Sequence, residues 1–241
     1  MGWYDRRTRR TRDLSCGDAR IYLEFEVRRV QCKSCGKVKR EQLAFHADNP
    51  FYTKRFAHYV GRRCRSSSIK DIAQELNLAW DTVTALEKQY MAVQLARAGA
   101  PGPKAIGIDE ISIRKGHTYR IVVSDLLRGR PIWFGGEDRS EKSMAMFYDW
   151  LGEKKTKGMR LAVMDMWKPL WQRLAPYEKF AEMIDRHWDG IAAYCKPENK
   201  VSLGFVEGLN NKIRVIQRRA YGLRDEEYLR LKILTCMLPA L

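Results

Sequence analysis

The sequence predicts an α/β protein: a mixed sheet flanked by helices, preceded by two smaller N-terminal regions. Three observations predict it. From Lys104 onward, short β-prone apolar runs alternate with segments of helical periodicity. Between residues 50 and 97, apolar residues recur at helical spacing in runs separated by a turn. The residues before that are rich in Arg and hold a short alternating run and one tight cysteine pair. Gly99-Ala100-Pro101-Gly102-Pro103 breaks the pattern and reads as a linker. The expected organisation is therefore 1–48, 49–98 and 104–241.

Composition narrows the function classes. At 45% hydrophobic and 31% charged residues, the chain is globular rather than disordered. Its formal net charge of +16 attracts polyanions, of which nucleic acid is the commonest. No apolar run is long enough to span a bilayer, and no basic amphipathic helix of the membrane-surface kind is present, so a membrane is not an expected partner. The N-terminal residues are polar and Arg-rich with no apolar segment after them, unlike a signal peptide. A cytoplasmic location is expected, with the six cysteines as reduced thiols or metal ligands.

In the first region, Ile21 to Val27 reads as a strand. Cys32-Lys33-Ser34-Cys35-Gly36 then places two thiols on one tight loop, as in a zinc knuckle. A structural zinc site needs four ligands, and no second pair lies nearby: Cys16 is single, and His46 and His58 are isolated. Two readings stand side by side, half of a zinc ribbon or two surface cysteines in a turn.

In the second region, Ser66-Ser67-Ser68 can cap a helix beginning near Ile69, with Ile69, Ile72, Ala73 and Leu76 on one face. Asn77-Leu78 supplies a turn, and Asp81 can cap a second helix carrying Val83, Leu86, Glu87 and Tyr90. This is the layout of a helix-turn-helix, with Trp80, Thr82, Thr84 and Lys88 towards DNA. An ordinary helical hairpin has the same pattern. The basic run Arg62-Arg63-Cys64-Arg65 and the overall charge favour DNA.

In the third region, Ala105 to Glu110, His117 to Leu126 and Pro131 to Gly135 read as three meandering strands. Ser140 to Glu153 reads as an amphipathic helix, and Leu161-Ala162-Val163-Met164-Asp165 as a fourth strand. A right-handed crossover sets the fourth strand parallel to the first. Asp109 and Asp165 then share one end of the sheet. Two acids so placed repel each other, and a hard divalent cation resolves the repulsion. Phe205 to Arg219 reads as a helix burying Phe205, Leu209, Ile213 and Ile216, with Glu207, Asn210, Asn211, Arg214, Gln217 and Arg218 on polar faces. On spacing alone, Glu207 fits equally a third metal ligand and an ordinary solvated helix.

The chain resembles, over nearly its whole length, the DDE transposases of bacterial insertion sequences, in particular the ISL-three family. The resemblance is carried by Gly107-Ile108-Asp109-Glu110, by Val163-Met164-Asp165-Met166-Trp167-Lys168-Pro169 and by Gly204-Phe205-Val206-Glu207-Gly208-Leu209-Asn210-Asn211-Lys212-Ile213-Arg214, followed by Arg218-Arg219-Ala220-Tyr221-Gly222. It implies an RNase H-like core with Asp109, Asp165 and Glu207 as catalytic acids. They would hold Mg²⁺ or Mn²⁺ for two-metal DNA strand cleavage and strand transfer. It also implies an N-terminal zinc ribbon and a helix-turn-helix that recognise terminal inverted repeats. On the core, Asn210, Arg214 and Arg218 would face DNA. The partners implied are double-stranded DNA, both element ends and target, and a second copy of the chain, in the bacterial cytoplasm at the nucleoid.

Two departures from the family pattern shape the expectation. Met1-Gly2-Trp3-Tyr4-Asp5 opens the sequence where the family has an earlier C-x-x-C pair, leaving Cys32 and Cys35 as an incomplete zinc set. Trp167-Lys168-Pro169 runs directly into Leu170-Trp171-Gln172-Arg173-Leu174, where the family carries a strand, a helix and a long helical insertion. An internal deletion there would remove a core strand and separate two outcomes: a shortened enzyme, or a protein that binds DNA without cutting it and represses transposition.

Overall fold

The computed structural model describes residues 2–114, 118–138, 140–164, 185–199, 204–219 and 225–240. The chain forms two compact units, Met1–Ala98 with Pro239–Leu241, and Gly99–Leu238. Among the described residues, no helix is long and apolar enough to cross a membrane.

The first unit begins with an antiparallel sheet of β1 (Gly2–Arg12), β2 (Tyr22–Gln31) and β3 (Val38–Arg40), in that order. The sequence reading anticipates β2 but not β1, whose Arg and Thr residues show no apolar alternation. The pairing register accounts for the difference. On one face of the hairpin lie Leu23, Phe25 and Val27, opposite Thr11, Arg9 and Arg7. Phe25 packs there on the rings of Phe45 and His46, with centroids 5.2 and 5.3 Å away. On the other face, Arg6 donates to Glu26 and Arg10 lies over the Tyr22 ring. Thus β2 supplies the apolar side chains, and β1 supplies ladder bonds and the stems of its arginines.

Three helices follow: α1 (Lys54–Arg63), α2 (Ile69–Leu76) and α3 (Trp80–Ala98). Thr53 and Ser68 cap the first two, accepting bonds from the N–H groups of Phe56 and Asp71. Helix α2 ends at Asn77, which adopts the left-handed region at φ 48°. Two bonds close it, Asn77 N to Gln74 O at 3.2 Å and Leu78 N to Ala73 O at 2.9 Å. Helix α3 starts at Trp80, two residues earlier than a cap at Asp81 requires. Asp81 therefore lies inside the first turn, where its charge still suits the helix dipole. Phe56, Val60, Ile72, Val83 and Leu86 form the core between the helices.

Arg12 and Asp13 join the sheet to these helices. Arg12, 5% exposed, donates to the carbonyl of Leu76 at the end of α2 and lies over the Phe56 ring. Burial pulls its pKa down. Asp13, fully buried, accepts bonds from Thr53 Oγ1 at 2.8 Å and Arg55 Nε at 2.6 Å. Those bonds hold its carboxyl far below the usual carboxylate range, the Arg55 bond foremost.

The second unit holds a four-stranded sheet of β4 (Ala105–Arg114), β5 (Thr118–Asp125), β6 (Arg130–Gly135) and β7 (Leu161–Met164), in the order β6-β5-β4-β7. The first three strands are antiparallel neighbours, and β7 pairs parallel with β4. This is the mixed sheet and the parallel return that the sequence predicts. Helix α4 (Glu141–Leu151) stops at Gly152, which takes φ 85°, and a short α5 (Glu153–Thr156) follows. Phe147 and Leu151 of α4 cover Ile106, Ile108, Ile121 and Val123 on one face of the sheet. After α6 (Trp188–Cys195), α7 (Gly204–Arg219) and α8 (Glu226–Thr235) serve the other face, where Arg120 of β5 pairs with Glu226.

Helices α1 and α3 approach closely at Gly61. A Cβ added there would lie 2.3 Å from Tyr90 Cβ, inside any tolerable contact. Gly61→Ala gains up to about 1 kcal/mol of helix propensity. It incurs about 1–3 kcal/mol of overpacking, so the net change should be destabilising. Thermal melting of the full chain followed through α1 and α3 by hydrogen exchange should show lower protection and an earlier transition in that variant.

Candidate metal centre and nucleic-acid interface

Asp109 lies near the middle of β4 and projects, with Gly107, to the face opposite Ile106 and Ile108. Its Oδ1 accepts the Glu110 N–H at 2.7 Å, and its Oδ2 accepts a bond from Asn210 Nδ2 of α7. A carboxylate offers about four lone-pair sites, so these two bonds use one on each oxygen.

Three contacts fix α7 along β4. Val206 lies over Gly107, where an added Cβ would come within 2.8 Å of Val206 Cγ2. Asn210 meets Asp109, and Gln217 Nε2 donates to Ser112 O at 3.2 Å. From Val206 to Asn210 a helix rises about 6 Å, and from Gly107 to Asp109 a strand rises about 6.6 Å. From Asn210 to Gln217 the rise is about 10.5 Å, and from Asp109 to Ser112 about 10 Å. Helix and strand therefore run in step and in the same direction. Ile213, fully buried, lies on the same helix face.

Glu207 stands one turn before Asn210 and is exposed. With Asn211, Arg214 and Arg218, also exposed, it forms a polar stripe at i, i+4, i+7 and i+11, flanking the face that meets β4. Asn210 departs from the expectation of a DNA-facing amide: its Nδ2 is turned to Asp109 instead. Arg214 and Arg218 are on the open side of the helix.

Asp165 and the junction from Trp167 to Leu174 lie outside the described residues. The register ends at Ile108 opposite Met164, one residue short of it. Among the described residues, no three His, Cys, Asp or Glu side chains come together as a metal cluster. The fit to a hard cation rests on Asp109, whose oxygens each keep an unused lone pair; Glu207 is exposed on the helix docked along the strand.

In the first unit, Trp80 is 51% exposed at the start of α3, and Thr82 and Lys88 are half-buried. Thr84 corrects the sequence reading. It is buried, and its hydroxyl donates to the Trp80 carbonyl at 3.0 Å, because the position falls on the core side beside Val83. Thr84 therefore supports the helix and does not face DNA.

Cys32 and Cys35 lie on the turn between β2 and β3. Gly36 at φ 67° and the bonds Gly36 N to Cys32 O and Cys32 N to Lys37 O shape it. The Ser34 hydroxyl, then the Cys35 and Ser34 N–H groups and the Cys35 thiol, pull the Cys32 thiol down to about 7. Among the described residues, no third and fourth ligand joins them.

A family profile described as a transposase matches residues 106–173 and again 171–233, and a helix-turn-helix domain of transposase family ISL3 matches residues 41–91. The chain is similar to the transposase for insertion sequence element IS1001 of Bordetella parapertussis, 22% identical over 341 residues that cover 93% of this chain and 83% of that protein. It is also similar to the transposase for insertion sequence element IS1557 of Mycobacterium tuberculosis, 30% identical over 159 residues, 64% of this chain and 35% of that protein. No solved structure matches the chain significantly. An alignment of 341 residues against a chain of 241 leaves at least 100 (341 less 241) of its positions without a counterpart here. The two profile segments meet at residues 171–173.

The lowered Cys32 pKa has a direct readout. Its thiolate fraction rises through about pH 7. The pH profile of Cys32 alkylation, followed by peptide mass spectrometry, should have its midpoint there. In Ser34→Ala, which removes the leading cause, the midpoint should move up towards the ordinary thiol value of 9.0.

Proposed function

The chain belongs to the ISL3 family of transposases, and from that premise we propose that it binds the ends of a mobile DNA element and cuts DNA strands at a centre formed by Asp109, Asp165 and Glu207. The observation that carries this reading is the docking of α7 in step with β4. It keeps the helix bearing Glu207 against the strand bearing Asp109. Asp165 follows directly on Met164, which is paired with the residue before Asp109. We assign the second unit to the RNase H-like class on the strength of this sheet order.

The three acids would hold Mg²⁺ or Mn²⁺, which supply a nucleophilic hydroxide from water and charge stabilisation for the leaving 3′ oxygen. The chain's own groups do the rest. Asp109 is held by a rigid strand and presents a free lone pair on each oxygen. Arg214 and Arg218 neutralise phosphates along α7 and make binding salt-dependent. Trp80, Thr82 and Lys88 of α3 approach the terminal inverted repeats, and the β1–β2 hairpin adds Arg6, Arg10 and Arg28 on its outer face. Cys32 and Cys35 contribute half of a zinc ribbon. Two copies pair the two element ends.

A second reading has its own observation. The split match and the 100 or more alignment positions without a counterpart favour an internal deletion near residue 170. A protein so shortened could retain end binding without cleavage and block a full-length transposase.

Labelled duplex carrying the element end, incubated with Mg²⁺ or Mn²⁺, decides between them. Nicking by the wild-type chain that is lost by at least 10³-fold in Asp165→Ala and Asp109→Ala is the expected result (roughly the scale of losing a group essential to the chemical step). Binding without nicking in all three proteins establishes the repressor reading.

A further inference from the structure

We propose that Asn210 is a positioning residue for Asp109, and that its amide orients the carboxylate that receives the catalytic cations. The inference rests on the metal-centre reading above and assigns Asn210 a role other than DNA contact. Asp109 is bonded at both oxygens, by Glu110 N–H on Oδ1 and by Asn210 Nδ2 on Oδ2. One bond alone would leave the carboxylate free to turn about its Cβ–Cγ axis. The two together fix its plane. Each oxygen keeps a lone pair, the arrangement required of a carboxylate that serves two cations at once.

The alternatives are weaker on the same observations. Without Asn210, helix α7 keeps its other contacts: Val206 over Gly107, buried Ile213 and the Gln217–Ser112 bond. Nor is Asn210 placed as a phosphate contact, since Arg214 and Arg218 occupy the open stripe while its Nδ2 faces the protein. Partners that orient a ligand matter nearly as much as the ligand itself. Their loss typically weakens metal affinity 10–100-fold.

The test is Mn²⁺ binding by the full chain without DNA, measured by calorimetry against Asp109→Ala, beside duplex binding in EDTA. In Asn210→Ala, Mn²⁺ affinity should fall about 10–100-fold while duplex binding in EDTA is unchanged, and Asn210→Gln should recover part of the loss. Equal Mn²⁺ affinity in wild type and Asn210→Ala overturns the proposal. So does weaker duplex binding with unchanged Mn²⁺ affinity, which would make Asn210 a DNA contact. Wild type binding no more Mn²⁺ than Asp109→Ala removes the metal-centre reading and this inference with it. If Asn210→Ala loses the fold, Asn210→Gln and Asn210→Leu, similar in size but with and without the donor, carry the same comparison.

Discussion

Helix α7 lies along strand β4 in step with it, and the candidate centre depends on that match. Gly107 makes the match possible. With any side chain there, Val206 and Leu126 would be pushed away, and the helix would lift from the strand at the level of Glu207. The buried Ile213 supplies the apolar part of the contact, and the Asn210 and Gln217 amides fix its register. These contacts, all between described residues, hold the helix that carries Glu207 against the sheet.

The first unit depends on a different constraint. An Arg-rich strand cannot be anchored by apolar burial, so the chain anchors it through two adjacent charged residues. Arg12 reaches the C-terminal carbonyl of α2, favourable for a cation at that end of a helix dipole. Asp13 binds Thr53 and Arg55 at the start of α1. Because Asp13 is fully buried, removing Arg55 would leave an uncompensated charge, which is more costly than losing a surface ion pair. These bonds tie the basic hairpin to the helix-turn-helix within one unit.

Much of this was legible in the sequence, for identifiable reasons. The strands β4 to β7 and their parallel return follow from apolar runs ending in Asp109 and Asp165, and the Ser68 cap and Asn77 turn follow from residue type. Strand β1 was not legible, because arginine stems replace the apolar alternation that marks a strand. Thr84 was misplaced because its neighbour Val83 and the 3.6-residue period put it just inside the core side of α3. The Asn210–Asp109 bond could not be read from either segment alone, since it joins residues 101 apart.

The central claim is that Asp109, Asp165 and Glu207 converge on one metal centre in this chain. Fe²⁺ loaded in place of Mg²⁺, with ascorbate and peroxide, cuts a polypeptide only near the bound ion. The account predicts backbone cuts clustered around residues 109, 165 and 207, all suppressed by excess Mg²⁺ and all lost in Asp109→Ala. Cuts near residue 109 with none near 207, or cuts that persist in Asp109→Ala, would contradict it.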